Sequence, residues 1–137
     1  MNLEDVGRQV VDAAMAVHYE HGPGLLESAY EHCLAFELLQ RGVDVAQQWE
    51  LPLVYRGTAV DAGYRINLLV DRQVIVELKA VERLEPVHEA QLISYLKLSG
   101  LRLGFLINFN TRLLKDGLRR RVYRLPDSTW RSSRPLR

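Results

Sequence analysis

Glu77 and Lys79 stand two residues apart inside VIVELKAV, the otherwise apolar run from Val74 to Val81. In an extended chain side chains alternate between faces, so Glu77 and Lys79 share one face with Ile75, and Val74, Val76, Leu78 and Ala80 take the other. One reading is a half-buried strand with an ion pair on its wet side. The other is half of an active centre. The preceding run YRINLLV, Tyr64 to Val70, bears on the choice. Residues 67 and 77 are about equally far from Arg72, so a hairpin turning there makes them near cross-strand neighbours. Ile66, Leu68 and Val70 then share the apolar face, and Asn67 lies with Arg65 and Leu69 on the other. Position 67, Glu77 and Lys79 can therefore cluster. A carboxylate and a lysine over a second acidic position could hold Mg²⁺, a hard ion that takes oxygen ligands, beside a substrate phosphate. The lysine would orient or acidify the attacking water.

These residues need a scaffold. Apolar residues at Val6, Val10, Ala13, Ala14 and Val17 predict a helix from Leu3 to about Tyr19, ended by His21-Gly22-Pro23-Gly24. A second helix is predicted near Leu26 to Arg41, with Leu26, Ala29, Tyr30, Cys33, Leu34 and Leu38 inward and Gly42 at its end. Three strands follow, Val45–Tyr55, Ala59–Val70 and Gln73–Val81, with turns at Arg56-Gly57-Thr58 and Asp71-Arg72-Gln73. Glu85-Pro86 opens a helix running to about Leu98 and stopping at Gly100. Leu101–Ile107 is nearly all apolar, a strand buried on both faces, and Leu118–Leu125 reads as one more. The order ααβββαββ implies an α/β fold with a mixed sheet flanked by helices.

The chain has 137 residues, 47% hydrophobic and 26% charged, which fits one soluble domain with a real core. We read that domain as residues 1–125 and the Ser-, Pro- and Arg-containing stretch 126–137 as a basic tail. One cysteine, Cys33, leaves no internal disulfide and no thiolate metal cluster. The first residues, MNLEDVGRQVVD, lack the basic and apolar regions of a signal peptide, and no apolar run approaches the roughly 20 residues that span a bilayer. A cytoplasmic protein without membrane contact is the expectation. Net charge is only +1, yet residues 1–101 hold 8 Lys/Arg against 15 Asp/Glu (−7) and residues 102–137 hold 10 against 2 (+8). That split points to a polyanion contacted from the C-terminal part, through Arg119, Arg120, Arg121 and Arg124. Solvated basic residues are the plainer account.

Gly24-Leu25-Leu26-Glu27-Ser28-Ala29-Tyr30 spells GxxExxY. Together with GPGLLESAYE, YRINLLV, VIVELKAVERLEPVHEAQLISYL and GLRLGFLINFN, it makes the chain resemble the GxxExxY proteins, a bacterial and archaeal family of the PD-(D/E)xK nuclease superfamily, over about Val6 to Asn110. The resemblance implies a restriction-endonuclease-like fold and hydrolysis of phosphodiester bonds in DNA or RNA with Mg²⁺ or Mn²⁺. It makes Glu77-Leu78-Lys79 the (D/E)xK element, Glu27 the early-helix acid, and Gln91 and Tyr95 the QxxxY pair. Glu77 and the Leu78 carbonyl would hold the ion, with Glu27 assisting through water, Lys79 positioning the nucleophile, and Gln91 and Tyr95 orienting that lysine or the phosphate. One position departs: the family has aspartate in YRxDLLV, where this chain has Asn67. An asparagine offers a neutral carbonyl in place of a carboxylate, so as third ligand it weakens the ion's hold. Asp71, about 13 Å further along an extended strand, does not reach.

Two functions follow. The first is a magnesium-dependent nuclease impaired at Asn67. The second is a catalytically inactive nuclease-fold module that binds nucleic acid or a protein partner, with a homodimer left open. For single residues the plain alternatives stand beside these. Glu27 in a first helical turn suits the macrodipole, and Gln91 and Tyr95, one turn apart, could pack or hydrogen-bond locally. His88 and Cys33 read as structural, and Trp130 as a tail aromatic.

Overall fold

A computed structural model describes residues 1–124 of the chain; the expected tail, Trp130 included, lies outside the described residues. Helix α1 spans Leu3–His21, capped by the Asn2 side chain, which accepts from the Asp5 N–H at 2.8 Å. It buries the expected stripe, Val6, Val10, Ala13, Ala14 and Val17. Helix α2, Glu27–Gln40, buries Tyr30, Leu34, Ala35 and Leu38, leaves Cys33 at the rim of the core, and also buries Glu31.

The β region departs from expectation. The first two long strands are each cut in two, giving β1 (Val45–Glu50), β2 (Leu53–Tyr55), β3 (Thr58–Val60) and β4 (Arg65–Val70). Pro52 has no N–H for a ladder, and Asp61 folds back to accept from the Gly63 N–H at 3.2 Å, a side-chain turn that ends β3. The freed pieces β2 and β3 pair into a separate exposed hairpin, turning on Arg56 and Gly57 with φ of 51° and 78°.

Strand β5 (Val74–Lys79) leaves β4 through a turn at Asp71-Arg72, and helix α3 (Pro86–Ser99) carries the chain to β6 (Leu103–Asn108), parallel to β5. A 3-10 turn at Leu114–Gly117 precedes β7, which ends at Val122 rather than Leu125. The main sheet is five-stranded, ordered β1-β4-β5-β6-β7, with only β5-β6 parallel.

The sheet separates two cores. Leu68, Val70, Val74, Val76, Leu78, Phe105 and Ile107 pack against α1 and α2; Ile75 and Leu106 pack with Leu92, Tyr95 and Leu96 of α3. Close approach of α3 to β6 depends on Gly104, where an added Cβ would lie 2.8 Å from the Leu92 side chain. Covering both faces makes β5 buried from Val74 to Leu78, so the face bearing Glu77 is not the wet side of a half-exposed strand. Ile66 corrects the expected alternation. It joins the α3 core, while Leu68 and Val70 join the other, so the pleat of β4 slips at Asn67. Opposite that slip, Gln48 of β1 has a φ of 52°. No helix among the described residues is long and apolar enough to cross a membrane.

Candidate active site

The centre lies where β4 and β5 part. Their ladder runs through Val70–Val74 to Leu68–Val76, and from there side chains take over. The Asn67 N–H donates to Glu77 Oε2 at 2.8 Å, and the Leu78 N–H donates to Asn67 Oδ1 at 2.9 Å. The expected neighbourhood of residues 67 and 77 is present, with carboxylate and amide bridging the gap in place of backbone pairing.

Glu77 is 5% exposed. Burial pushes its carboxyl up from 4.5 to about 7, against the Asn67 N–H and the Lys79 charge, which pull it down, and with a further push from Glu27 and Glu31. Lys79, at the end of β5 and half-buried, is set in register by its neighbour Asn108. The Phe109 N–H donates to the Lys79 carbonyl at 3.0 Å, and the Asn108 side chain bonds both the N–H and the carbonyl of Val81. Ile75, Glu77 and Lys79 share the α3 face, as the alternation requires. On α3, Tyr95 packs edge-on to Tyr64 at 5.7 Å, and its phenol is raised by burial and then by Glu77 and Tyr64, with a hydrogen bond from Gln91 working the other way. Tyr64, Gln91, Ser94, Tyr95 and Lys97 line a cleft of about 370 Å³ between the β2–β3 hairpin and α3. His88 is structural: its Nδ1 accepts from the Glu85 N–H at 2.9 Å and closes a capping box at the start of α3.

The other side of the centre comes from α2. The Tyr30 hydroxyl donates to the Gly22 carbonyl at 2.6 Å and accepts from the Leu25 N–H at 3.1 Å, while its ring stacks on Phe109 at 4.5 Å. Gly24, at φ 108°, makes the turn that this staple closes. In GxxExxY, then, the glycine and tyrosine fix the start of α2, and with it the direction of Glu27. Glu31, one turn later, was not singled out from the sequence. It is 5% exposed and accepts from Asn67 Nδ2 at 2.6 Å, from Gln48 Nε2 at 2.7 Å and from Gln47 Nε2 at 3.1 Å. Asn67 Nδ2 also lies 3.4 Å from Glu27 Oε2. The signal was its four-residue spacing from Glu27, which puts both acids on one helix face.

The arginines are divided by the pleat of β7. Arg120 pairs with Glu4 of α1 at 2.8 Å, and Arg121 pairs with Glu89 of α3. Arg119 aligns across β6 with Leu106, and Leu106 with Glu77. Arg119 is therefore on the face of Glu77, about 10 Å away at two strand spacings; its Nη1 donates to the Asp116 and Leu118 carbonyls. Arg124 is exposed beyond β7. The basic run thus does not form one patch. Arg120 and Arg121 are occupied on opposite faces, and Arg119 alone joins the row of Glu77.

A mixed sheet between helices, with an ExK strand beside a helix carrying Gln91 and Tyr95, defines a nuclease-type α/β fold. A family model described as the PD-(D/E)XK nuclease superfamily matches residues 4–121, and the chain belongs to that superfamily. No curated protein and no solved structure matches the chain. Members of the superfamily generally use Mg²⁺ or Mn²⁺, and the donor set here does not fit such an ion. The Leu78 N–H can only donate, so Asn67 must turn its oxygen there and its NH₂ toward Glu31 and Glu27. A cation cannot bind an N–H donor. Both Glu31 oxygens and Glu77 Oε2 already accept hydrogen bonds. Among the described residues no group of three or more His, Cys, Asp or Glu is arranged to hold a metal. Of the expected ligand set, Asn67 Oδ1 accepts from the Leu78 N–H and Glu77 Oε2 from the Asn67 N–H; these bonds use the N–H of Leu78 and not the carbonyl expected as its ligand atom.

Proposed function

We propose that the chain is a nucleic-acid-binding member of the superfamily whose hydrolytic centre is silent, and that it is a GxxExxY protein. One observation carries the reading. The Asn67 side chain directs its amide nitrogen at Glu31 from 2.6 Å, in the place where the resemblance puts an acid. The α3 face keeps the groups that meet a phosphodiester. Lys79 supplies a cation beside Glu77, Arg119 a second one in the same row, and the Tyr64–Tyr95 cleft a place for a base to stack. Binding should therefore weaken with salt, and Lys79→Ala should weaken it about equally for every sequence.

A slow metal-dependent nuclease is the second reading, favoured by the survival of Glu77 and Lys79 together on one face. One assay separates the two. Labelled single- and double-stranded DNA and RNA are incubated with the protein in Mg²⁺ or Mn²⁺, and binding is read in parallel at two salt concentrations. Salt-dependent binding with intact substrate supports the silent module; cleavage lost in Lys79→Ala supports the nuclease; neither binding nor cleavage removes both.

A further inference from the structure

Glu31 is a buried carboxylate held by three side-chain amides, and the strand that supplies two of them is distorted in doing so. Gln47 and Gln48 are consecutive residues of β1, and consecutive residues of a strand point to opposite faces. Both nonetheless place Nε2 on Glu31, at 3.1 and 2.7 Å. The backbone makes this possible at Gln48, whose φ of 52° is unusual for a residue with a side chain. Gln48 stands opposite Asn67, the position at which the pleat of β4 slips and from which the third amide comes. Asn67 reaches further still: its Oδ1 holds the Leu78 N–H and its backbone N–H holds Glu77. One residue thus ties the carboxylates of two layers together. A divalent ion among acids would perform the same task.

We propose that Asn67, Gln47 and Gln48 form an amide cage that takes the place of a divalent cation, so that the centre is assembled and α2 is joined to the sheet without metal. Amide N–H groups meet both Glu31 oxygens by charge-assisted hydrogen bonds, two on Oε1 and one on Oε2. The cage carries no claim about nucleic acid and stands or falls separately from the binding reading.

The test is thermal unfolding of the full chain in EDTA and in millimolar Mn²⁺, without nucleic acid, beside calorimetric titration of Mn²⁺ alone. The wild-type Tm is expected to be the same in both, with no Mn²⁺ heat. Asn67→Asp sets a carboxylate against Glu31 and Glu27; its Tm in EDTA is expected to fall by roughly 5–10 °C and to recover in Mn²⁺. Asn67→Ala is expected to fall by a similar amount and to ignore Mn²⁺. A wild-type Tm raised by several degrees in Mn²⁺, or submillimolar Mn²⁺ binding by the wild type, overturns the proposal. So does an Asn67→Asp protein as stable as wild type in EDTA. If that variant does not fold, the wild-type titration alone still decides.

Discussion

The two walls of the centre are built on different principles. On the α3 wall a regular pleat delivers Glu77 and Lys79 to one face, and a capped helix sets Gln91 and Tyr95 over them. On the α2 wall the pleat slips, a glutamine adopts positive φ, and the carboxylate brought in by the helix is wrapped in amides. The first wall sets a lysine beside its glutamate; the second wraps its acid in its own amides. Asn67 belongs to both, so the comparison breaks most readily there. Asn67→Ala removes the bonds to Glu31 and Leu78 and leaves a buried carboxylate and a buried N–H short of partners, a loss of roughly 3 kcal/mol by urea unfolding. A loss below about 1 kcal/mol would mean that the walls are held together by packing alone.

The α3 wall has its own signature in pH. The Glu77 carboxyl sits near 7 in the folded chain against 4.5 unperturbed, so the folded state holds its proton more tightly than the unfolded state. That contribution is complete below about 4.5 and is lost as pH rises through 7, at a cost on the order of 3 kcal/mol at pH 8. Glu77→Gln removes the titration. Relative to wild type the variant should gain about that much between pH 5 and pH 8 in urea unfolding. Parallel pH profiles for the two proteins would show that Glu77 is not held in a desolvated site, and the contrast between the walls would narrow.

Legibility in the sequence followed the same division. Period-2 alternation in VIVELK located Glu77 and Lys79 on one face, and Pro86 and Gly100 bounded α3, because each signal acts within a few residues of chain. The near-equal distances from Arg72 brought residues 67 and 77 together for the same local reason. What failed was long-range. The face of Ile66 depended on a slip that coincides with the positive φ of Gln48 on β1, and Glu31 depended on amides contributed from another layer of the fold. The run Arg119-Arg120-Arg121 read as one basic patch because its acidic partners, Glu4 and Glu89, lie far away in sequence. The two long strands read as unbroken because the apolar content of Leu53–Tyr55 and Thr58–Val60 does not distinguish a strand of the main sheet from an exposed hairpin.

Smaller effects sharpen the comparison. Tyr30→Phe keeps the stack on Phe109 and deletes the hydroxyl's bonds to Gly22 and Leu25. A loss of about 1–2 kcal/mol is expected from two part-buried bonds, with faster amide hydrogen exchange confined to the start of α2. Exchange spreading to α3 would show that the two walls unfold as one unit.

Gln48→Gly weighs the distortion against the bond it serves. Glycine accepts a φ of 52° freely, so the substitution relieves backbone strain of about 1 kcal/mol. It also removes an amide from the Glu31 carboxylate, a bond to a charged group worth roughly 1.5–3 kcal/mol, less here because Gln48 is exposed. Glycine further adds freedom to the unfolded chain, costing about 0.5–1 kcal/mol. The last two terms exceed the first, so a net loss near 1 kcal/mol is expected, read as a lower urea midpoint at unchanged slope. A glycine variant more stable than wild type would mean that the positive φ serves the pairing of β1 with β4 and not Glu31, and the α2 wall would then rest on Asn67 and Gln47.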